Sequence, residues 1–302
     1  MTRARSTFTL LWIAAGAFSC SPTTPPAPLD DPLSDGIAFL KEGNARSAIE
    51  RLGKAISSGQ DPLESHRNRG RAYLLSGEIQ RAIADFTEVA RLNPKDAGAH
   101  YELGIAHTRL GDPEKAVAEL SASIALNGED VKALVNRSAL LHQLGRTLEA
   151  VADCDSANAL DPYNASVIVN RGVFRASLGQ RDKAVADWGA AIRLDPQFPG
   201  GYFSRGVDHG LHNELEAAIA DFTRVLELRA DHVQARTHRA LALASLGDHD
   251  RAVIDLTEVI RQQPGSSQVL LERSKSLRAL GRTAEADEDE RSAQARSAAP
   301  PR

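Results

Sequence analysis

The sequence predicts an all-α fold, a solenoid of antiparallel helix pairs built from about eight units of 34 residues. Three observations predict it. Eight alanines, Ala48, Ala82, Ala116, Ala150, Ala184, Ala218, Ala252 and Ala286, stand 34 residues apart without a single slip. Twelve residues before each lies a small side chain (Gly36, Gly70, Gly104, Ser138, Gly172, Gly206, Ala240, Ser274), and five before each a turn former (Gly43, Gly77, Gly111, Gly145, Gly179, Asn213, Gly247, Gly281). Asn213 is the residue type, after glycine, that best tolerates a left-handed backbone. Apolar residues recur at helical spacing on both sides of the turn, as in Arg69–Leu75 and Ile79–Leu92. One such pair cannot bury its apolar face alone, so neighbouring pairs must stack.

In chain order, residues 1–19 come before the array and read as a signal peptide. Arg3 and Arg5 lead into an apolar run, Phe8–Phe18, that is too short to span a bilayer. Two cleavage readings stand. Ala17-Phe18-Ser19-Cys20 resembles a bacterial lipobox, whose cysteine becomes lipidated, although Leu is preferred where Ala17 stands. Ala15-Gly16-Ala17 fits the small-x-small site of ordinary signal peptidase. The lipobox is the preferred reading, because a lone cysteine ends the apolar run and residues 20–30, rich in Pro and Thr, form an extended tether. By analogy with other lipoproteins, Ser21 implies sorting to the outer membrane.

The array follows at 31–300, with units at 29–62, 63–96, 97–130, 131–164, 165–198, 199–232, 233–266 and 267–300. In each, the turn former closes the first helix with a left-handed cap, and the small residue lets the second helix approach. Four residues after the repeating alanine, Leu52, Phe86, Leu120, Cys154, Trp188, Phe222 and Leu256 fill a large slot, with Glu290 there in the last unit. Pro94, Pro162, Pro196 and Pro264 stop helices near unit ends. The final helix, 284–296, is crowded with Glu, Asp and Arg and reads as a polar terminal cap.

Aromatics make up 5% of the chain and charged residues 25%, which suits close helix packing around small side chains. The net charge is −4, or −6 for a chain starting at Cys20 and so lacking Arg3 and Arg5. That balance argues against nucleic acid as the main partner. No phosphate-cradling loop and no nucleophile elbow occurs, so the expectation is a non-enzyme without cofactor or metal. His209 and His212 invite a metal reading, but His209 falls in an inward slot shared with His107, and His66 and His100 share another packing slot. Cys154 occupies the large buried slot as a small hydrophobe, and a disulfide to Cys20 is not expected.

Arg stands at the seventh unit position in Arg69, Arg137, Arg171, Arg205, Arg239 and Arg273, and an acid at the twenty-third in Asp85, Glu119, Asp153, Asp187, Asp221, Asp255 and Asp289. The first unit reverses both signs, with Asp35 and Arg51. A paired reversal predicts that the two positions face each other as an ion-pair ladder, mostly at the surface, each pair contributing about 0.2–1 kcal/mol. Leu103 breaks it in the third unit. Asp208 occupies a slot where sibling units have Ala72, Ala106, Leu140, Phe174 and Ala242; His212, one turn on, is its nearest partner in sequence.

The small residue at position eight, Gly at fifteen, Ala at twenty, an aromatic at twenty-four and Pro at thirty-two, met closely by Leu63–Asp96 and Ala165–Phe198, resemble the tetratricopeptide repeat family over about nine tenths of the chain. The resemblance implies a right-handed superhelix whose concave groove, lined by first helices, binds protein or peptide segments. Carried onto this chain it selects Arg67, Asn68, Arg71, Tyr101, Ile105, Val135, Asn136, Val169, Asn170, Val173, Phe203, Val207, His238 and Leu241, an apolar middle flanked by charge that also includes Lys275 and Arg278. Asn68, Asn136 and Asn170 are placed to bond a ligand backbone. No unit combines Lys at its fifth position with Asn at its ninth, so the family's clamp for C-terminal carboxylates is not expected. The expectation is a monomeric scaffold, lipid-anchored in the cell envelope at the outer membrane and facing the periplasm (or soluble in the periplasm), like envelope lipoproteins that assist pilus assembly or recruit cell-wall hydrolases. An enzyme acting on envelope polymers is the disfavoured alternative.

Overall fold

The computed structural model describes residues 31–297. The leader at 1–19, Cys20 and the tether at 20–30 lie outside these residues, as does the end of the last unit. Sixteen helices follow one another among the described residues: α1 (Pro32–Lys41), α2 (Ala45–Ser57), α3 (Pro62–Ser76), α4 (Ile79–Leu92), α5 (Ala97–Leu110), α6 (Pro113–Leu126), α7 (Val131–Gln143) and α8 (Thr147–Leu160) make the first half. The second half is α9 (Ala165–Ser177), α10 (Arg181–Leu194), α11 (Pro199–Leu211), α12 (Leu215–Leu228), α13 (Val233–Ser245), α14 (His249–Gln262), α15 (Ser267–Ala279) and α16 (Thr283–Ser297). Each odd-numbered helix packs on the even-numbered one after it, and each pair stacks on the next, giving a right-handed superhelical solenoid. Odd-numbered helices also meet one another, α9 with α11 and α11 with α13 for example, so they form the inner, concave wall.

The turns explain the pairing. Seven of the turn glycines have φ between +73° and +82°, and Asn213 has +60°. The chain therefore reverses in one left-handed residue, and the N–H after it caps the first helix, as Glu78 does on the Tyr73 carbonyl at 2.9 Å. Helices α4, α8, α10 and α14 each end two residues before Pro94, Pro162, Pro196 and Pro264.

All eight repeating alanines are fully buried. Behind them the large slot is filled in step with the small residue opposite. A Cβ on Gly36 would lie 2.5 Å from Leu52, one on Gly70 2.7 Å from the Phe86 ring, and one on Gly104 2.6 Å from Leu120. Where the large side chain shrinks to Cys154, the facing residue grows to Ser138, and both remain buried. The last pair departs as a cap does: Glu290 bonds to Arg278, while Ala286, Asp289 and Ala293 turn inward.

The Arg–Asp ladder forms in six units, and each rung is bidentate. Arg137 places Nε 2.8 Å and Nη2 2.6 Å from the two oxygens of Asp153, and Arg205 does the same to Asp221 at 2.8 and 2.7 Å. The reversed rung closes too, Arg51 to Asp35 at 3.2 Å. One expectation is corrected: the rungs are not surface pairs. The six aspartates are only 3–6% exposed, because they lie under the first helix, so they count as buried charges. Accepting two bonds from each guanidinium, they hold Arg69, Arg205 and Arg273 firmly in the charged form. In the third unit, where Leu103 replaces Arg, His100 meets Glu119 at 2.8 Å, and His66 likewise meets Asp85 at 2.8 Å. The shared slot of these two histidines is thus part of the ladder and not a plain packing position.

Candidate partner-binding groove

The fourteen residues selected for the groove divide sharply by position. At the N-terminal end the charges are already paired. Arg67 is tied to Asp96 and to Glu64, and Arg71 donates to Glu102 at 2.7 Å. Asn68 is buried and spends its amide nitrogen on the Glu64 carbonyl at 2.8 Å. The expected basic flank is therefore neutral, and Asn68 does not face a ligand.

In the middle, Asn136 donates to the Tyr101 hydroxyl at 3.1 Å, and burial raises the Tyr101 phenol above its ordinary range. Ile105 packs on the Leu74–Ala106 core, and Val135 on the Leu134–Leu141 core. Val169 is buried beside Trp188, whose Nε1 donates to the Val169 carbonyl at 3.3 Å. Asn170 is half-buried on the same helix.

The structure brings Val173, Phe203 and Val207 together. With Ala176, Trp188 and Leu211 they line an open cleft of about 360 Å³ between α9 and α11. Across the α11 ridge, Val207, Leu211, Phe222, His238 and Leu241 line a second hollow of about 230 Å³. The His238 ring stacks on Phe222 with centroids 5.5 Å apart, and Phe203 lies 5.0 Å from His232. Leu241 also borders a third hollow with Lys275, whose ammonium is paired with Glu272 at 2.8 Å. The usable groove thus runs from α9 to α15. It offers alkyl groups and ring faces with almost no unpaired charge, the chemistry that takes up apolar side chains.

Sequence reasoning missed Leu211 and Trp188. Leu211 is 80% exposed and forms the ridge between two hollows. Its place at the thirteenth unit position was the available signal. Trp188 was read as buried core alone, yet its ring also floors the cleft.

Asp208 is buried, and its main partner is not His212 alone. Arg181, from α10, places Nε 2.8 Å from Asp208 and Nη2 2.8 Å from Glu214. His212 adds a longer contact at 3.6 Å and bonds the Asp208 carbonyl at 2.8 Å, and His209 bonds Glu214. These histidines serve an ion-pair network. Among the described residues no three His, Cys, Asp or Glu side chains stand close enough to hold a metal ion. Burial pushes the Cys154 thiol up to about 11, with Ser138 beside it. No described helix is long and apolar enough to cross a membrane.

Comparison with known proteins places this geometry. No curated protein matches the chain. Among solved structures, a tetratricopeptide repeat protein from Parabacteroides merdae ATCC 43184 is similar with a TM-score of 0.62 at 16% identity, covering 78% of this chain and 93% of its own. Pseudomonas aeruginosa PilF gives 0.58 at 19% identity, over 71% of this chain and 96% of its own. MamA from Desulfovibrio magneticus RS-1 gives 0.53 at 24% identity, over 57% and 97% respectively. At these identities the likeness is one of fold. The sequence profile of the tetratricopeptide repeat matches residues 33–97, 68–125, 101–165 and 206–267. These matches span well over half of the chain, each follows the helix pairs described above, and the chain belongs to the tetratricopeptide repeat family.

Proposed function

We propose that this protein is a non-catalytic scaffold of the bacterial cell envelope that holds partner segments in the α9–α15 stretch of its concave groove. Tetratricopeptide repeat arrays mediate protein–protein interactions, and their fold is typically an interaction scaffold. The observation that carries the reading is the run of adjoining hollows at Val173, Phe203, Val207, Leu211 and Leu241, a half-buried apolar strip on the inner wall with Leu211 and Leu241 exposed. Large apolar side chains three or four residues apart on a partner helix, or alternating along an extended partner, fit hollows spaced across one helix ridge. The envelope setting is supported by Arg3, Arg5 and the Phe8–Phe18 run, and the lipid anchor by Cys20 and the tether after it.

Affinity capture of the full-length chain from solubilised envelopes tests the groove. Leu211→Glu and Leu241→Glu are suited to it, because both side chains are exposed and the fold does not need them. Val169 is buried, so a charge there would disturb packing instead. Loss of a specific partner in both variants supports the reading, and equal recovery by wild type and variants overturns it. Mass spectrometry of the mature N-terminus tests the anchor: a diacyl- or triacyl-cysteine at residue 20 is expected, and an unmodified chain starting at Phe18 would refute it.

A further inference from the structure

Successive units meet through the second helix of one and the first helix of the next, and of these junctions α10 with α11 is the loosest. Two independent departures from the repeat fall on it. In α4 and α5 the corresponding contact is apolar, Ile79 lying in one core with Ala106. Here the same two positions carry Arg181 and Asp208. Four ladder arginines reach back to the preceding unit: Arg137 to Ser121 at 3.0 Å, Arg171 to Asp155 at 2.9 Å, Arg239 to Thr223 at 3.2 Å and Arg273 to Thr257 at 3.0 Å. For Arg205 that acceptor position is Gly189, which has no side chain to offer, a lack that Arg69 shares in facing Gly53. Finally, beside the repeat's own Gly206, α11 contains Gly200, Gly201 and Gly210, residues of weak helix propensity.

Besides the packing of Gly201 against Ile192, one guanidinium spans the junction. Arg181 bridges from α10 to Asp208 in α11 and to Glu214 at the start of α12, both at 2.8 Å. The Arg181 side chain is one-third exposed, so salt reaches it, unlike the alkyl contact it replaces.

We propose that the α10–α11 junction is a hinge latched by Arg181 on Asp208 and Glu214, and that its opening sets the width of the α9–α11 cleft. Val173 and Ala176 lie on one side of that cleft, Phe203 and Val207 on the other, and Trp188 on its floor. Separating α11 from α10 therefore moves one wall relative to the other. A segment seated across both walls closes the hinge, and a broken latch lowers its affinity, because part of the binding free energy must then order the junction. This consequence for partners rests on the groove reading above; the hinge itself does not.

Hydrogen exchange on the full-length chain, without any partner, tests the hinge. The expected result is that amides of α11 are protected on the order of tenfold less than those of α9 and α13, and that sodium chloride widens the gap. Arg181→Gln widens it further at low salt. Arg181→Ile/Asp208→Ala rebuilds the Ile79–Ala106 contact and closes the gap. Loss of Arg181 alone strands a buried carboxylate, so the apolar double variant carries the test if Arg181→Gln does not fold. Equal protection of α9, α11 and α13 in the wild type overturns the hinge. So does a gap that persists unchanged in the double variant, since that traces the weakness to the glycines and not to the latch. Leu241→Glu, on α13 and away from the junction, reports on partner capture separately, so failure of the groove reading leaves the hinge result standing.

Discussion

A Cβ placed on Gly172 would sit 2.5 Å from Nε1 of Trp188, closer than any real contact allows. The missing methyl is what admits the indole between α9 and α10. Other units solve the same space differently: Ala240 faces Leu256, both buried. Gly172→Ala should therefore destabilise the array by about 1–3 kcal/mol through overpacking. Gly172→Ala/Trp188→Leu should recover part of that loss, because it imports the Ala240–Leu256 solution. A thermal-unfolding double-mutant cycle checks this; a coupling indistinguishable from zero would show that the two positions do not share one space.

The ladder makes a second prediction. Among the described residues Arg137 is the only cation bonded to Asp153, which is 5% exposed. Arg137→Leu leaves a buried carboxylate without its partner, and should cost about 3–5 kcal/mol. Arg137→Leu/Asp153→Leu removes both charges and should be markedly more stable than the single variant. By contrast, Arg91 and Glu88 pair within one exposed helix face, and Arg91→Ala should leave the melting temperature unchanged. A large loss from Arg91→Ala, or none from Arg137→Leu, would reverse this ranking of the two kinds of ion pair.

Cys154 supplies a third. Its thiol is fully buried, held protonated by desolvation, and raised to about 11. At pH 8 a thiol reagent should modify Cys154 in the folded chain only as fast as the seventh and eighth helices open, with peptide mass spectrometry reporting the site. Denaturant below the unfolding midpoint should accelerate it in step with unfolding. Rapid labelling under native conditions would contradict the packing of Ser138 on Cys154.

Much of the fold was legible because a 34-residue period repeats its own evidence. The left-handed turns at Gly43 to Gly281 follow from residue type at a fixed place. The Arg–Asp rungs follow from the sign reversal between Asp35 and Arg51. What stayed hidden depends on neighbours one unit away. Arg71 finds Glu102 in the next unit, so reading each unit against itself left it looking free, and Arg67 finds Asp96 at the far end of its own unit, a pairing that no repeated sign pattern marked. Arg181 and Asp208 stand 27 positions apart for the same reason. Position alone also does not give depth: Val169 and Val173 share a helix, but the bulk of Trp188 covers Val169 and leaves Val173 on the cleft wall. Asn68 was lost as a ligand contact because a helical Asn can bond the carbonyl four residues back.

The latch also has a pH signature. Glu214 is lowered from its ordinary 4.5 to about 2, first by the hydrogen bond from Arg181 and then by that from His209. A depressed carboxylate contributes its stabilisation fully above the ordinary value and loses it as pH falls through the folded one. The Arg181–Glu214 contact should therefore be intact from neutral pH down to about 4.5 and fail only between there and about 2. Carboxyl carbon NMR of Glu214 should titrate near 2 in the wild type and move back toward 4.5 in Arg181→Gln. Because Arg181 stays charged throughout, the Arg181–Glu214 contact itself should not change near neutral pH, and salt should be the stronger lever on it. A Glu214 midpoint already near 4.5 in the wild type would mean that the guanidinium does not grip this carboxylate in solution.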